Sequence, residues 1–245
     1  MLFRSGGESE GGFFQSLGVS IGLGGGIADN PDTGTGGGTG VTGKDTLPPP
    51  PVNPSGVIGP LAILIATAES GKEGYNAYNR GTSDGKIIPS TRSRNLVSMS
   101  LSEVLADQSL PQSDPDCLRA VGKYQCVPKT LAAAIDSLKF DLNRKFDKLT
   151  QDIICQEYLV CRKRPALLTY YNNPDKNNEN LLKKAGQDLA AEFASVEDPY
   201  YPGYPYKGPN YYYYKSGNRV GKTVTWLDHV RPTLIAEWEF RNSGK

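Results

Sequence analysis

The chain has 245 residues, of which 38% are hydrophobic and 22% are charged, which suffices for one sizeable core and at most a second small one. Lysine and arginine number 27 against 26 aspartates and glutamates, so a net charge of +1 gives no overall attraction to nucleic acid or anionic membranes. A single histidine, His229, excludes sites built from several histidines, and no metal or cofactor is predicted. No run of apolar residues is long enough to predict a membrane-spanning helix.

Residues 1–54 form a glycine- and proline-rich arm. They contain 15 of the 28 glycines, and Pro48–Pro51 closes the segment. Glycine has no side chain to bury and a high ordering cost, so we expect this arm to lack a core of its own. We interpret it as a long flexible tether that anchors the chain to a partner protein.

Residues 55–245 carry the patterns of a mainly helical α+β domain. Residues 71–96 are rich in Gly, Asn, Ser and Thr and predict loops or a short hairpin, while a polar, tyrosine-rich loop covers 199–219. An apolar stretch from Pro60 predicts the first helix, and a capping box at Ser100 predicts a second that ends at about Gln108. Further helices are predicted at Pro128–Leu138, Thr150–Val160, Asn180–Ser195 and Thr223–Glu239.

The four cysteines are Cys117, Cys126, Cys155 and Cys161. Their spacing contains no CxxC pair, which disfavours structural zinc. Disulfides and buried thiols both remain open from the sequence.

Glu69 closes the apolar helical stretch in Ile65-Ala-Thr-Ala-Glu69-Ser70, directly before a polar loop. A carboxyl group placed against apolar neighbours has its charged form disfavoured, and a pKa raised in this way suits a proton donor near neutral pH. A glutamate that simply faces water at a helix end is the alternative.

A second pattern is Gly122-Lys-Tyr124-Gln125-Cys-Val-Pro128-Lys-Thr130. The glycine permits a tight turn, the proline can start a helix, and an aromatic ring beside an amide suits a sugar that carries an N-acetyl group. An ordinary turn before a helix is the alternative.

Together these two segments resemble the Glu-Ser and Gly-Leu-Met-Gln-x-x-Pro-x-Thr motifs of soluble lytic transglycosylases. The Gly-x-Tyr-Gln form is closer to phage lysozyme-like muralytic proteins, including the lambda endolysin group. Lys123 and Tyr124 depart from the Leu-Met of the soluble enzymes. The resemblance covers roughly residues 57–240, and its further segments are 75–81, Gln151-Asp152, 189–195 and Gly217-Asn218.

The resemblance implies a lysozyme-like fold with a saccharide cleft, and it makes Glu69 the catalytic residue. The glutamic acid protonates the glycosidic oxygen between N-acetylmuramic acid (MurNAc) and N-acetylglucosamine (GlcNAc) and then removes a proton from the muramoyl C6 hydroxyl, leaving a 1,6-anhydro product. Hydrolysis by a paired mechanism needs a second carboxylate. Glu73 and Asp84 are candidates for it, but nothing in the sequence places them across the cleft, so transglycosylation is favoured.

The same resemblance nominates substrate-binding residues. Tyr170 echoes a Tyr-Asn motif, and Tyr213 and Tyr214 belong to a run of eight tyrosines between positions 200 and 214. The rings of this run suit stacking on sugars, and rings that pack over the domain as a cover are the alternative. The full set of predicted binding residues is Ser70, Tyr75, Asn76, Tyr124, Gln125, Tyr170, Tyr213 and Tyr214.

The sequence therefore predicts a peptidoglycan-cleaving component of a phage virion, docked to tail or baseplate proteins through residues 1–54 and acting on the host cell wall. In this interpretation the protein binds peptidoglycan glycan strands, and nucleic acid is not among its predicted partners. A hydrolytic lysozyme and a catalytically inactive lysozyme-like tail protein are the alternatives.

Overall fold

A computed structural model describes residues 57–70, 72–83, 86–89, 92–208 and 224–243. The predicted arm, residues 1–54, lies outside this part of the chain, as do Tyr213 and Tyr214. Within the described residues the fold is mainly helical, as the sequence predicts, and the α-helices are α1 (Pro60–Glu69), α2 (Leu101–Ser109), α3 (Pro128–Leu138), α4 (Lys148–Ile153), α5 (Pro165–Tyr171), α6 (Glu179–Glu192) and α7 (Arg231–Asn242).

Helix α1 is the element that presents Glu69. Pro60 occupies its first turn, where the missing N–H costs nothing, and Leu61 and Ile65 are fully buried. The N-cap residue, Gly59, has no side chain that could accept a hydrogen bond from the first N–H groups of the helix. Instead, Glu237 of α7 accepts a hydrogen bond from the Leu61 N–H at 3.0 Å, so the C-terminal helix fixes the start of α1.

The predicted capping box is confirmed at the start of α2. The Ser100 hydroxyl accepts from the Glu103 N–H at 3.2 Å, and the Glu103 carboxylate accepts from the Ser100 N–H at 2.6 Å. Pro128–Leu138 is likewise the helix that its pattern predicts.

Two predicted helices differ in detail from the structure. The pattern at Thr150–Val160 is divided between α4 and a π-helical segment, Ile154–Arg162, in which Val160 leaves helical geometry. The pattern at Thr223–Glu239 becomes a π-helical turn, Trp226–Val230, followed by α7. Pro232 lies in the first turn of α7, where a residue without an N–H is tolerated, so this proline sits near the point where α7 begins.

The β structure is small, as predicted. Strands β1 (Thr82–Ser83) and β2 (Lys86–Ile87) pair antiparallel, with Thr82 opposite Ile87. Short 3₁₀ turns at Gly74–Asn76 and Leu96–Ser98 flank this hairpin.

The core lies between α1, α7, the π-helical segment 154–162 and the α5–α6 pair. Near the chain's end, Trp226 packs directly over Gly186 of α6, where an added Cβ would lie 2.3 Å from the indole ring. The four cysteines are buried free thiols. Among the helices that the structure describes, none combines the length and apolar character needed to cross a membrane.

Candidate functional site

Glu69 lies at the C-terminal end of α1 with no exposed surface. The hydroxyl of Ser195, which follows α6, donates a hydrogen bond to its Oε1 at 2.7 Å. Ser195 is itself 1% exposed, so the contact is shielded from water. The two residues thus hold a carboxyl group in one orientation at the junction of α1 and the end of α6.

The loop after Glu69 is joined to the turn at 121–126 by backbone hydrogen bonds. The Gly122 N–H donates to the Ala77 carbonyl at 2.7 Å, and Asn79 exchanges bonds of 3.1 and 2.8 Å with Ala120 and Arg119. The loop that follows Glu69 therefore lies beside the start of the turn, with residues 77–79 bonded to residues 119–122.

The turn itself depends on two residues with positive φ. Gly122 has a φ of 76°, and an added Cβ would lie 2.4 Å from Oε1 of Gln151. Gln125 has a φ of 48°, and its side chain accepts from Asn79 Nδ2 at 3.2 Å while donating to the Gly122 carbonyl at 2.9 Å. The amide of Gln125 thus holds the turn to residue 79.

Gln151 connects three segments. Its Oε1 accepts from the Lys123 N–H at 2.8 Å, and its Nε2 donates to the carbonyls of Tyr75 and Phe146 at 3.0 and 2.9 Å. Because the side chain is almost fully buried, these bonds fix the turn against the loop that follows Glu69.

Asp152 gathers two of the predicted binding residues. Its Oδ1 accepts from the Tyr124 hydroxyl at 2.7 Å, and its Oδ2 accepts from the Tyr75 hydroxyl at 2.8 Å. Lys123 Nζ donates to the Tyr75 hydroxyl at 2.9 Å and lies 3.7 Å from Oδ1 of Asp152. We call Tyr75, Lys123, Tyr124 and Asp152 the Asp152 cluster.

Both tyrosines of the Asp152 cluster remain protonated donors. Burial, followed by the hydrogen bond to Asp152, raises the pKa of Tyr75 well above its ordinary value. Burial also raises the pKa of Tyr124, with smaller contributions from Cys155 and Asp152. The two hydroxyls therefore stabilise the Asp152 carboxylate rather than compete with it for a negative charge.

The remaining predicted residues occupy different positions. Ser70 directs its hydroxyl back to the Ala66 carbonyl at 3.0 Å, and Asn76 accepts from the Val97 N–H at 3.2 Å, so both stabilise the loop around Glu69. Tyr170 lies on α5, fully buried, and donates to the Lys176 carbonyl at 2.9 Å. No described contact joins Tyr170 to Glu69 or to the Asp152 cluster. Tyr213 and Tyr214 lie outside the described residues.

The described conformation is closed around the carboxyl group. Glu69, Ser70, Tyr124 and Gln125 are each at most 5% exposed, whereas Tyr75 and Lys123 are partly exposed. Glu69 therefore offers no surface to a saccharide in this conformation, whereas the edge of the Asp152 cluster is accessible. Glu73 is exposed, and Asp84 lies outside the described residues.

Sequence reasoning did not select Ser195, Asp152, Gln151 or Lys123 as site residues. Ser195 and Gln151-Asp152 belong to segments of the resemblance, and Lys123 departs from the soluble enzymes' motif, so a signal existed for each. In the part of the chain that the structure describes, no group of three His, Cys, Asp or Glu side chains is placed to hold a metal ion. Comparisons with protein-family models, curated proteins and solved structures find no match.

Proposed function

We propose that this chain is a peptidoglycan lytic transglycosylase with a lysozyme-like fold, in which Glu69 is the catalytic acid and base. The observation that carries this proposal is the Glu69 carboxyl group, buried at the end of α1 and oriented by the Ser195 hydroxyl at 2.7 Å. A carboxyl group held in a fixed orientation can donate a proton and then accept one, which are the two roles of a general acid and base.

The proposed reaction uses one carboxyl group twice. The Glu69 proton passes to the glycosidic oxygen as the bond from that oxygen to C1 of the muramoyl residue breaks, and GlcNAc leaves as an alcohol. The resulting carboxylate then accepts the proton of the muramoyl C6 hydroxyl, whose oxygen bonds to C1. The product is a 1,6-anhydro sugar, and Glu69 regains its proton.

The placement of the neighbouring carboxylates supports transglycosylation over hydrolysis. A retaining or inverting hydrolase needs a second carboxylate across the sugar ring. Asp152 is nearly buried and already accepts hydrogen bonds from both Tyr75 and Tyr124, and Glu73 is exposed. Transglycosylation needs one carboxyl group, and in this proposal Glu69 supplies it.

A second candidate is a lysozyme-like binding protein that grips wall polymer without cleaving it. The observation that favours it is the absence of exposed surface on Glu69 in this conformation. In that case the buried glutamate and Ser195 serve the fold alone.

We also propose that the chain belongs to a phage virion, held in the tail through its glycine- and proline-rich arm, residues 1–54. Deleting residues 1–50 should leave wall cleavage in solution intact and prevent incorporation into particles. Particles that still contain the truncated chain would contradict the anchoring role.

The experiment that tests the activity is mass spectrometry of purified peptidoglycan after incubation with the full chain. We expect fragments with 1,6-anhydro ends. Fragments with reducing ends would assign hydrolysis, and the absence of any fragment, with the polymer still bound, would assign the binding protein.

A further inference from the structure

Lys123 places a restrained ammonium group at the partly exposed edge of the Asp152 cluster. Its Nζ lies 4.5 Å from the centre of the Tyr75 ring and 5.4 Å from that of Tyr124. The side chain is only 16% exposed, and its hydrogen bond to the Tyr75 hydroxyl fixes its direction. An ammonium held in this way offers its charge to a ligand with little further loss of side-chain entropy.

Two ammonium groups lie close to the Tyr75 ring. Lys148, exposed at the start of α4, brings a second ammonium to 5.7 Å from the centre of the same ring. The only carboxylate in the Asp152 cluster already accepts both tyrosine hydroxyls. Two ammonium groups at one ring, beside a carboxylate that is only 10% exposed and already hydrogen-bonded, can attract an anion.

In the proposed substrate, peptidoglycan, the negatively charged groups lie on the peptide stem and not on the sugars. GlcNAc is neutral, and the lactyl carboxyl of the muramoyl residue is consumed in the amide bond to its peptide. The free carboxylates belong to the peptide stem. The two ammonium groups at Tyr75, in the loop that follows Glu69, are therefore complementary to a stem carboxylate and not to the sugar chain itself.

We propose that Lys123 and Lys148, on either side of Tyr75, form a subsite for a carboxylate of the peptide stem. This inference rests on the proposed function, because it takes the substrate from it. The subsite would make the protein prefer glycan strands whose stems retain free carboxylates over strands whose stems are amidated. It also assigns a role to the lysine that replaces the leucine of the soluble enzymes' motif.

The test compares two synthetic ligands on the Glu69→Gln variant, which binds without cleaving. One is a MurNAc–GlcNAc tetrasaccharide with tripeptide stems bearing free carboxylates, and the other is the same molecule with carboxamides. We expect calorimetry to show about fivefold tighter binding of the free-carboxylate ligand, as one partly exposed ion pair supplies. Adding Lys123→Gln should bring the ratio of the two affinities close to one.

Lys184→Gln, which removes an exposed charge from α6, is the matched control and should keep the preference. Lys123→Arg should retain most of it. If Lys123→Gln does not fold, Lys148→Gln, at an exposed position, should reduce the ratio. Equal affinities in the parent, or a preference that survives both lysine changes, would overturn the subsite.

Cleavage of the same two ligands by the unmodified chain separates this inference from the proposed function. Cleavage without any charge preference in binding overturns only the subsite. Lysine-dependent binding without cleavage overturns only the transglycosylase. Binding of neither ligand overturns both.

Discussion

The Ser195 hydroxyl donates a 2.7 Å hydrogen bond to Glu69, a residue 126 positions earlier in the chain. The bond joins the last turn of α1 to the segment that follows α6, and both partners are buried. In the proposed mechanism it keeps one carboxyl oxygen occupied and so determines where the other oxygen points.

Ser195→Ala should therefore weaken both the fold and the activity. Removing one partner of a buried hydrogen bond costs about 1–3 kcal/mol in the free energy of unfolding. A carboxyl group released from its orientation should lose about tenfold to a hundredfold in rate. Urea unfolding and release of soluble wall fragments measure the two effects. Ser109→Ala, at an exposed hydroxyl, is the control, and Ser195→Ala with unchanged fragment release would contradict the positioning role.

Gly122→Ala tests the turn that brings the two segments together. Alanine at a φ of 76° costs about 1–2 kcal/mol in backbone energy, and contact of its Cβ with Gln151 adds about 1–3 kcal/mol. Gly74→Ala provides the matched control, because Gly74 also has a positive φ but nothing lies within 4 Å of an added Cβ. We expect urea unfolding to show a larger loss for Gly122→Ala, and equal losses would mean that Gln151 does not constrain the turn.

Arg241→Met tests the ion pair that fixes the start of α1. Arg241 Nε donates to Glu237 at 2.8 Å, both side chains are buried, and Glu237 also accepts from the Leu61 N–H. Breaking a buried pair leaves an uncompensated charge, so we expect a loss of about 3–5 kcal/mol in the free energy of unfolding. Arg231→Met, which breaks a partly exposed pair with Glu179, should cost at most about 1 kcal/mol. Similar losses for both variants would contradict this account.

Glu157→Gln tests a buried carboxyl whose Oε2 has no hydrogen-bond partner among the described residues. Burial, only partly offset by Arg241 and Arg162, raises the pKa of Glu157 above its ordinary value of 4.5. The folded state then binds this proton more tightly than the unfolded state. The stabilisation that Glu157 contributes is therefore complete below pH 4.5 and is lost as the pH rises through the folded-state pKa.

We accordingly expect the stability of Glu157→Gln relative to the parent to be higher at pH 7 than at pH 4. Urea midpoints at the two pH values measure this difference. Asp136→Asn, at a side chain that is 84% exposed, is the matched control. A Glu157→Gln variant whose relative stability falls between pH 4 and pH 7 would show that the charged form is favoured instead.

The elements that the sequence predicts well are those whose signals are local. The apolar run after Pro60, the capping box at Ser100 and the Pro128–Leu138 pattern each define a helix through neighbouring residues, and each is confirmed. The short helix α5 was not predicted, and the π-helical segment 154–162 departs from a continuous helix at Val160. No periodicity in the sequence marks such a break, because tertiary packing decides it.

The candidate site also combines a residue with a local signal and contacts between residues far apart in the chain. Glu69 can be selected from its place at the end of an apolar stretch, but its burial cannot, because the same place also fits a glutamate that faces water. Its bond to Ser195 and the convergence of Tyr75 and Tyr124 on Asp152 depend on contacts between residues 28 to 126 positions apart. Spacing along the chain carries no information about such contacts.

The most direct measurement of the central claim is the rate at which purified peptidoglycan releases soluble fragments with the parent chain and with Glu69→Gln. Glutamine keeps the shape of the side chain but has no proton to transfer, so we expect the rate to fall by about 10²- to 10⁴-fold. The urea midpoint of the variant shows whether it is folded. Fragment release at the parental rate by folded Glu69→Gln would contradict the assignment of Glu69 as the catalytic acid.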